Sequence, residues 1–150
     1  MSGGESSRLR KALVDEQEKA LFVGNFPLDL EDPGVALAFG ITNMGVDPMD
    51  LEAAMDAEFS KAGTELMNDR EFQKLRNRIE SEFISGNASV MARAEKMAIY
   101  HMTQKDANLI NTEIDKYLAV TREDIMRVAK KYFHKDNRVS LFYVPAPAKP

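Results

Sequence analysis

The chain of 150 residues contains no cysteine and no tryptophan, and it has only two histidines. Without cysteine it forms no disulfide bond and offers no thiolate, either as a metal ligand or as a nucleophile. A chain without cysteine suits a reducing compartment but does not require one. No signal peptide follows Met1. The sequence therefore leaves a cytoplasmic and a periplasmic location both open.

The sequence also lacks a large excess of one charge and any long apolar run. Lys and Arg number 20 and Asp and Glu number 24, so the net charge is −4, with both signs mixed along the chain. There is no basic stripe of the kind that binds nucleic acid. No apolar run approaches the roughly 20 residues that a membrane-spanning helix needs. We therefore expect neither a nucleic-acid partner nor a membrane span.

Motifs that carry catalysis are missing as well. Neither histidine belongs to H-E-x-x-H or H-x-x-E-H, in which helical spacing aims two imidazoles at one zinc ion. His101 falls on the apolar stripe of a predicted helix and His134 in a charged turn, so a structural role is the better interpretation of both. The carboxylates sit beside Lys and Arg, as they do on a solvated helix face. From the residues alone we expect no catalytic, cofactor-binding or metal-binding residue in this chain.

The opening stretch SGGESSR raises the alternative of an anion site, because the amides at a helix N-terminus bind anions. The stretch does not match G-x-x-x-x-G-K-[ST], however. Ser2, Glu5 and Ser6 are instead suited to capping a helix. That helix is predicted from apolar residues at helical spacing, namely Leu9, Ala12, Leu13 and Ala20. Capping is the preferred interpretation.

Beyond this helix the period of the apolar residues changes from helical to alternating. Alternation begins at Leu21 and resumes over Val35–Thr42, after a Pro-Gly turn at 31–34. Two such segments joined by a short turn predict an antiparallel hairpin. Pro27 indicates an edge strand or a bulge. One face carries large side chains and the other small ones, and we expect both faces to be covered.

Helical periodicity dominates the rest of the chain. Helices are predicted to begin near residues 47, 68, 90, 106 and 121. Gly63 and Gly86 are predicted helix ends, and the stripe from Val90 to His101 is predicted to face inward. The nine methionines fall mostly at core positions of these helices, which predicts that they fill the core. Arg138–Val144 alternates and predicts a last strand, and residues 146–150 are a predicted disordered tail.

This order of elements, with four or five helices after the hairpin, predicts an α+β fold, α-β-β-α-α-α-α-β when four are counted, in which an antiparallel or mixed sheet packs against several helices. Residues 1–145 are interpreted as one truncated domain. Three strands make a thin sheet whose exposed edges proteins usually cover. We therefore expect another segment or another chain to supply strands, and a homo-oligomer formed through the exposed sheet edge is one way to do so.

Four stretches, read in order, carry a resemblance to a known family. They are GGESSRLRKALVDEQEKALFVG, DPGVALAFGIT, NDREFQKLRNRIESEF and VTREDIMRVAKKYFHKDNRVSLFYVP. Together they resemble the insulinase, pitrilysin and mitochondrial-processing-peptidase family of zinc metallopeptidases. The resemblance covers nearly the whole chain. It implies an incomplete domain of the processing-peptidase-like metallopeptidase fold, and it places the chain in the later two-thirds of a C-terminal-type domain that carries no metal.

The resemblance also implies a function. In the family, zinc lies on an H-x-x-E-H helix of the first domain, and homologous domains enclose a chamber that holds the peptide. The parent protein is then a zinc protease whose partners are a peptide or protein substrate and a homologous metal-bearing domain. This chain, without H-x-x-E-H, forms part of the chamber and is inactive alone. The alternative is a structural or inactive-partner subunit of the same fold. A standalone helical binding module is the third interpretation, if the resemblance is set aside.

One family feature is testable residue by residue. Many members carry an Arg and, seven residues later, a Tyr that contact the bound peptide. The matching positions here are Asp15 and Phe22. A carboxylate only accepts hydrogen bonds and a phenyl ring has no hydroxyl, so the pair cannot reproduce those donors. We do not transfer the substrate-binding role to Asp15 and Phe22, and a place on a sheet face or in the core is the expectation for Phe22.

Overall fold

A computed structural model describes residues 7–28 and 34–144 of the chain. Several predictions fall outside these residues. They are the caps at Ser2, Glu5 and Ser6, most of the turn at 31–34, and the tail at 146–150.

The first helix begins as a short α-helix, α1 (Arg8–Arg10), and continues as a π-helical segment, Lys11–Glu16. It is shorter than the sequence predicts because Glu18 adopts a left-handed backbone conformation, with φ of 50°. The Lys19 amide then donates to the Leu13 carbonyl, six residues earlier, at 2.9 Å, and this hydrogen bond closes the end of the π-helical segment. The chain can therefore turn into a strand immediately afterwards.

The predicted hairpin is present. Strands β1 (Ala20–Leu28) and β2 (Val35–Thr42) pair antiparallel, and a register shift interrupts the start of β1. The register places Gly24 opposite Phe39 and Val23 opposite Gly40. Residues that face each other across the pair lie on the same side of the sheet. One side of the hairpin therefore carries the large residues and the other the small ones, as predicted.

In the described part of the chain five α-helices follow the hairpin. They are α2 (Pro48–Thr64), α3 (Asp69–Gly86), α4 (Val90–Gln104), α5 (Leu109–Leu118) and α6 (Arg122–Tyr132). The predicted caps are formed: Asn68 Oδ1 accepts from the Glu71 amide at 2.9 Å, and Thr121 and Asp124 bond each other's amides reciprocally. None of the helices over residues 7–28 and 34–144 combines the length and hydropathy that crossing a bilayer requires.

The α+β class is confirmed, but the predicted last strand at Arg138–Val144 is wrong. A 3-10 turn at Lys135–Asn137 is followed by chain that joins no strand in the described structure. Alternation gives a segment the side-chain pattern of a strand, but a strand also needs a neighbouring edge for its backbone groups. Val139, Leu141 and Tyr143 are 87%, 92% and 104% exposed, so these alternate side chains pack on almost nothing.

The chain divides into two compact units. The first contains the residues up to Thr64 and those from Ala129 onward, and the second is Glu65–Val128. The interpretation of residues 1–145 as one domain stays a prediction. The hairpin, α2 and the segment after Lys135–Asn137 all belong to the first unit.

The core of the first unit lies between the first helix, α2 and the small-residue face of the hairpin. Its buried members are Leu9, Ala12, Leu13, Ala20, Val23, Leu51 and Ala54. Gly40 permits this packing, because a Cβ atom at that position would lie 2.9 Å from Leu51 Cδ2. Gly63, predicted as a helix end, lies one residue before the end of α2. A Cβ there would lie 3.0 Å from the Lys130 Cα, so this glycine allows two helices to approach closely.

In the second unit α4 presents a different face inward from the predicted one. Val90 and Met91 are 74% and 77% exposed and His101 is also exposed, whereas Tyr100 is 6% exposed. The Tyr100 hydroxyl donates to the Glu113 carboxylate on α5. We attribute the difference to Tyr100, because burying a large ring whose hydroxyl has a hydrogen-bond partner removes more apolar surface from water than burying the methionines of the predicted stripe. Core filling is also wrong for five methionines, which are exposed: Met44, Met49, Met91, Met97 and Met102.

Candidate functional site

The hairpin leaves its large apolar side chains uncovered, and we call this surface the open face. Its members, each 40–55% exposed, are Phe22, Phe26, Leu28, Val35, Leu37, Phe39 and Ile41. The expectation that both sides of the hairpin are covered is therefore wrong for the described residues. Single exposed apolar residues are normal on soluble proteins, but a contiguous set of seven marks a surface for binding.

Phe39 lies at the centre of the open face. Its ring centroid is 5.7 Å from that of Phe22, in a tilted arrangement, and 6.3 Å from that of Phe26, edge to face. A Cβ atom on Gly24 would lie 2.6 Å from the Phe39 ring, so the ring rests directly on the glycine backbone across the strand pair. Three rings are thereby held together on one surface without a charged side chain among them.

The two sequence-predicted site residues lie at either end of the turn between the first helix and β1. Asp15 is exposed on the π-helical segment, and Phe22 is 47% exposed on the open face. The Phe22 ring contacts Phe39, which agrees with the expected place on a sheet face. Neither the Asp15 carboxylate nor the Phe22 ring provides a side-chain hydrogen-bond donor. The substrate-binding role of the family positions is therefore not transferred to this pair, and no observation of the structure tests that interpretation.

Asn43, which the sequence did not single out, holds this turn in place. Its amide donates to the Lys19 carbonyl at 3.0 Å, and its side-chain Nδ2 donates to the Glu18 carbonyl, also at 3.0 Å. The end of β2 is thus tied to the residues just before β1. The signal in the sequence was slight, since a single asparagine after a strand is common in turns of many kinds.

A pair of carboxylates on α2 is the most concentrated charge near the hairpin. Glu52 and Asp56 lie one turn apart and both bind the Arg138 guanidinium, Glu52 at 2.9 Å. The Ser140 hydroxyl also donates to Glu52. We call this set of contacts the Arg138 clasp. Because the guanidinium binds both carboxylates, they are not placed as a free acid and base for catalysis.

A curated relative matches this chain over almost its whole length. Zinc protease PqqE of Helicobacter pylori (strain ATCC 700392 / 26695) is 27% identical over 142 residues, which are 95% of this chain and 32% of that protein. The chain therefore spans about a third of the length of the curated relative. No family model matches the chain.

Solved structures match the fold closely. The inactive peptidase domain of a candidate zinc protease from Bordetella parapertussis superposes with a TM-score of 0.86 at 21% identity, covering 99% of this chain and 79% of that one. A candidate zinc protease from Bordetella pertussis Tohama I gives 0.82 at 23% identity, over 97% of this chain and 80% of that one. A protease from Helicobacter pylori gives 0.79 at 25% identity, covering 89% of this chain and 32% of that one.

The chain is similar to zinc proteases over most of its length. The resemblance identified from its four sequence stretches is thereby confirmed, and so is the α+β fold. One of the similar structures is described as an inactive peptidase domain, so this fold occurs among zinc proteases in a form without activity.

The described residues of this chain do not fit a catalytic zinc ion. Over residues 7–28 and 34–144, no group of three His, Cys, Asp or Glu side chains is arranged to hold a metal. His101 lies on α4 and His134 lies beside the 3-10 turn, and both are exposed. Zinc in proteins takes three or four such ligands around one point. We therefore derive no metal chemistry from this chain.

One carboxylate of the second unit has a strongly perturbed acidity, and its role is structural. The Arg127 side chain hydrogen-bonds to Asp124, and Thr121 donates to it through its hydroxyl and amide. These contacts lower the pKa of Asp124 from 3.8 to about 2. Asp124 is the third residue of α6 and forms a capping box with Thr121, and a carboxylate so firmly ionised is a poor proton donor near neutral pH.

Proposed function

We propose that this chain is a non-catalytic, C-terminal-type domain of a zinc protease and forms part of its peptide-binding chamber. The metal site belongs, in this proposal, to a homologous domain that this chain does not contain. Similarity to zinc protease PqqE over 95% of the chain supports the parent class. Similarity to an inactive peptidase domain over 99% of the chain supports a role without catalysis.

The open face carries the proposal. An unfolded substrate exposes apolar side chains, and a sheet face with three phenylalanine rings and no charge can bury them without selecting one sequence. Phe22 contributes its ring to this surface, although it lacks the hydroxyl found at the family position. Asp15 contributes only an acceptor. The chain would therefore hold peptide mainly through apolar contact, and binding should weaken little with salt.

Binding of a labelled, permanently unfolded peptide tests this role, followed by fluorescence anisotropy. We expect the double variant Phe26→Ser, Leu37→Ser to bind about thirtyfold more weakly, because two exposed apolar contacts are lost and each is worth roughly 1 kcal/mol. The control is Val90→Ser, Met91→Ser, which removes two apolar side chains that are more exposed than Phe26 and Leu37 from α4. Equal weakening by both pairs, or no binding by the wild-type chain, would contradict the proposal.

Zinc titration by calorimetry, combined with a peptidase assay, tests the non-catalytic assignment. We expect no stoichiometric zinc binding and no turnover by this chain alone, since its described carboxylates and histidines form no ligand set. Tight zinc binding accompanied by peptide cleavage would refute the assignment.

A structural or inactive-partner subunit of the same fold is the second candidate. It is favoured by Asp15 and Phe22, which lack the donors that family members direct at the peptide. One set of binding and activity measurements distinguishes the chamber domain from the partner subunit. A chain that binds a metal-bearing homologous domain, yet binds no unfolded peptide and leaves the peptidase rate of that domain unchanged, would be a partner subunit rather than a chamber wall.

A further inference from the structure

Strand β1 contains one residue more than regular pairing with β2 requires. Ala20 lies opposite Thr42 in β2. Phe22 lies opposite Ile41, the preceding residue of β2, so Leu21 has no partner of its own. Two residues of one strand that oppose a single residue of the other form a β-bulge.

We propose that this bulge is part of the peptide-binding surface, with Leu21 as an additional contact for peptide and Asn43 as the residue that positions the bulge. The inference rests on the proposed function, because it takes the open face to be the surface that holds unfolded peptide. It adds to that surface two residues that belong neither to its seven members nor to the pair at Asp15 and Phe22.

The burial of β1 indicates on which side of the hairpin the extra residue lies. Ala20 and Val23 both belong to the core, although a spacing of three puts residues on opposite sides of a regular strand. Between them, Leu21 and Phe22 are 59% and 47% exposed. Both oppose Ile41, a member of the open face, and residues that face each other across a strand pair lie on the same side. The bulge therefore adds Leu21 to the open face.

Packing among the described residues does not account for the bulge. An extra residue interrupts the ladder of hydrogen bonds between the strands, which has a structural cost. Burial of Leu21 does not offset that cost, because most of its side chain is in solvent. Nor is Leu21 needed to bring Ala20 into the core. Without it, Ala20 and Phe22 would be consecutive and would still lie on opposite sides of the strand. The remaining role for the extra residue is contact with a ligand.

Asn43 fixes the chain just before the bulge. Its Nδ2 and its amide donate to the carbonyls of Glu18 and Lys19, the two residues that precede β1. Its Oδ1 accepts from the Met44 amide at 2.8 Å, which holds the side-chain amide in one orientation. Glu18 has a left-handed backbone, which is unfavourable for a residue with a Cβ atom, and the bond from Nδ2 helps to hold it there. The direction in which the chain enters the bulge therefore depends on Asn43.

This end of the open face suits one bulky apolar side chain of an unfolded peptide. Leu21 and Phe22 stand opposite Ile41, and the Phe22 ring also contacts that of Phe39. None of these four side chains carries a charge or a hydrogen-bonding group, so they recognise a ligand by apolar area and shape alone. The ligand class is therefore an unfolded peptide with a large aliphatic or aromatic residue at this end.

Removal of Leu21 distinguishes a contact role from a structural one. Deleting the residue restores regular pairing, so we expect the free energy of unfolding in urea to stay the same or to rise. Fluorescence anisotropy with the labelled, unfolded peptide should nevertheless show about fivefold weaker binding. Leu21→Ser, which keeps the bulge, should weaken binding by the same factor. The matched control is Leu66→Ser, the same exchange at a leucine that is 43% exposed in the loop after α2, and it should leave binding unchanged.

A double-mutant cycle tests the positioning role of Asn43. Asn43→Asp keeps the size of the side chain but cannot donate to the Glu18 carbonyl, and it should weaken peptide binding about threefold. If Asn43 acts through the bulge, adding this change to Leu21→Ser should weaken binding little further than Leu21→Ser does alone. With Leu28→Ser, at the opposite end of the face, the two effects should multiply. An asparagine with a merely structural role would multiply with both leucine variants.

The outcomes separate this inference from the function on which it rests. If the double variant Phe26→Ser, Leu37→Ser weakens binding but neither change at Leu21 does, the open face binds peptide and the bulge is no part of that surface. A sharp loss of stability on deletion of Leu21 would make the bulge a structural element. Effects of Asn43→Asp that multiply with both leucine variants would refute the positioning role. A wild-type chain that binds no peptide would overturn the proposed function and this inference together.

Discussion

The two faces of the hairpin share the same backbone but differ in what covers them. On the small-residue face Ala20 and Val23 are buried in the core with the first helix and α2, whereas Ala36, Ala38 and Gly40 on β2 are exposed. The open face carries seven large apolar side chains, each 40–55% exposed. If burial followed side-chain size alone, the large face would be the core. The contrast indicates that this unit is held together by its small face, whereas its large face is available for contact with something else.

The largest expected effect is the difference in stability lost when a leucine is replaced by alanine in the core or on the open face. Leu13→Ala removes a completely buried side chain and should lower the free energy of unfolding by about 2–5 kcal/mol. Leu37→Ala, on the open face, should lower it by less than about 1 kcal/mol, because its contacts with solvent are already extensive. Urea unfolding measures both. Equal losses would mean that the two faces are not distinct in energy.

Replacing a glycine by alanine should reduce stability more on the small-residue face than on the open face. Gly40→Ala places a Cβ 2.9 Å from Leu51 in the packed core and should cost about 1–3 kcal/mol. Gly24→Ala meets the Phe39 ring, but that ring is 45% exposed and can swing outward, so the cost should be below about 1 kcal/mol. Thermal unfolding of both variants measures this difference. A larger loss for Gly24→Ala would show that the open face is rigidly packed.

The Arg138 clasp should contribute a smaller amount. Arg138→Ala leaves Glu52 and Asp56 without their cation and one helical turn apart, where like charges repel. Because these side chains are partly exposed, we expect a loss of about 1 kcal/mol that shrinks as salt is added. The control is Arg127→Ala, an exposed ion pair on α6, which should cost less. A clasp variant as stable as wild type at every salt concentration would show that the segment is not anchored.

The smallest expected effect concerns Asp124 on α6, which belongs to neither face of the hairpin and therefore serves as a reference. The native pKa of Asp124, lowered to about 2, is below the ordinary value of 3.8. The stabilisation from this carboxylate is therefore fully present above pH 4 and lost as the pH falls from about 4 to 2. Carboxyl NMR titration should show the low pKa, and Asp124→Asn should remove this part of the acid dependence. An Asp124 titrating near 3.8 would show that the cap is not formed.

Sequence alone predicted the features that depend on neighbouring residues. The hairpin followed from alternation, and the caps at Asn68 and Thr121 from local hydrogen-bonding chemistry. It could not predict the partner of each apolar surface, because periodicity identifies a face but not what covers it. The same limit explains two wrong predictions. The stripe from Val90 to His101 does not face inward, because Tyr100 is buried instead, and the segment Arg138–Val144 has the pattern of a strand but joins no sheet.

The candidate site was predictable only in part. Phe22 was placed on a sheet face from its spacing, and the family position drew attention to it together with Asp15. Phe26 shares its face by alternation along the same strand, whereas the grouping with Phe39 depends on the cross-strand register, which places Phe39 opposite Gly24. Register is a property of two strands together, so no single segment of sequence reveals it.

Chemical-shift mapping with an unfolded apolar peptide tests the central claim most directly, namely that the open face is the contact surface of a non-catalytic chamber domain. The account predicts saturable shifts concentrated at Phe22, Phe26, Leu37 and Phe39, with no cleavage of the peptide. Shifts confined to the exposed side chains of α4, or no shifts at all, would contradict it.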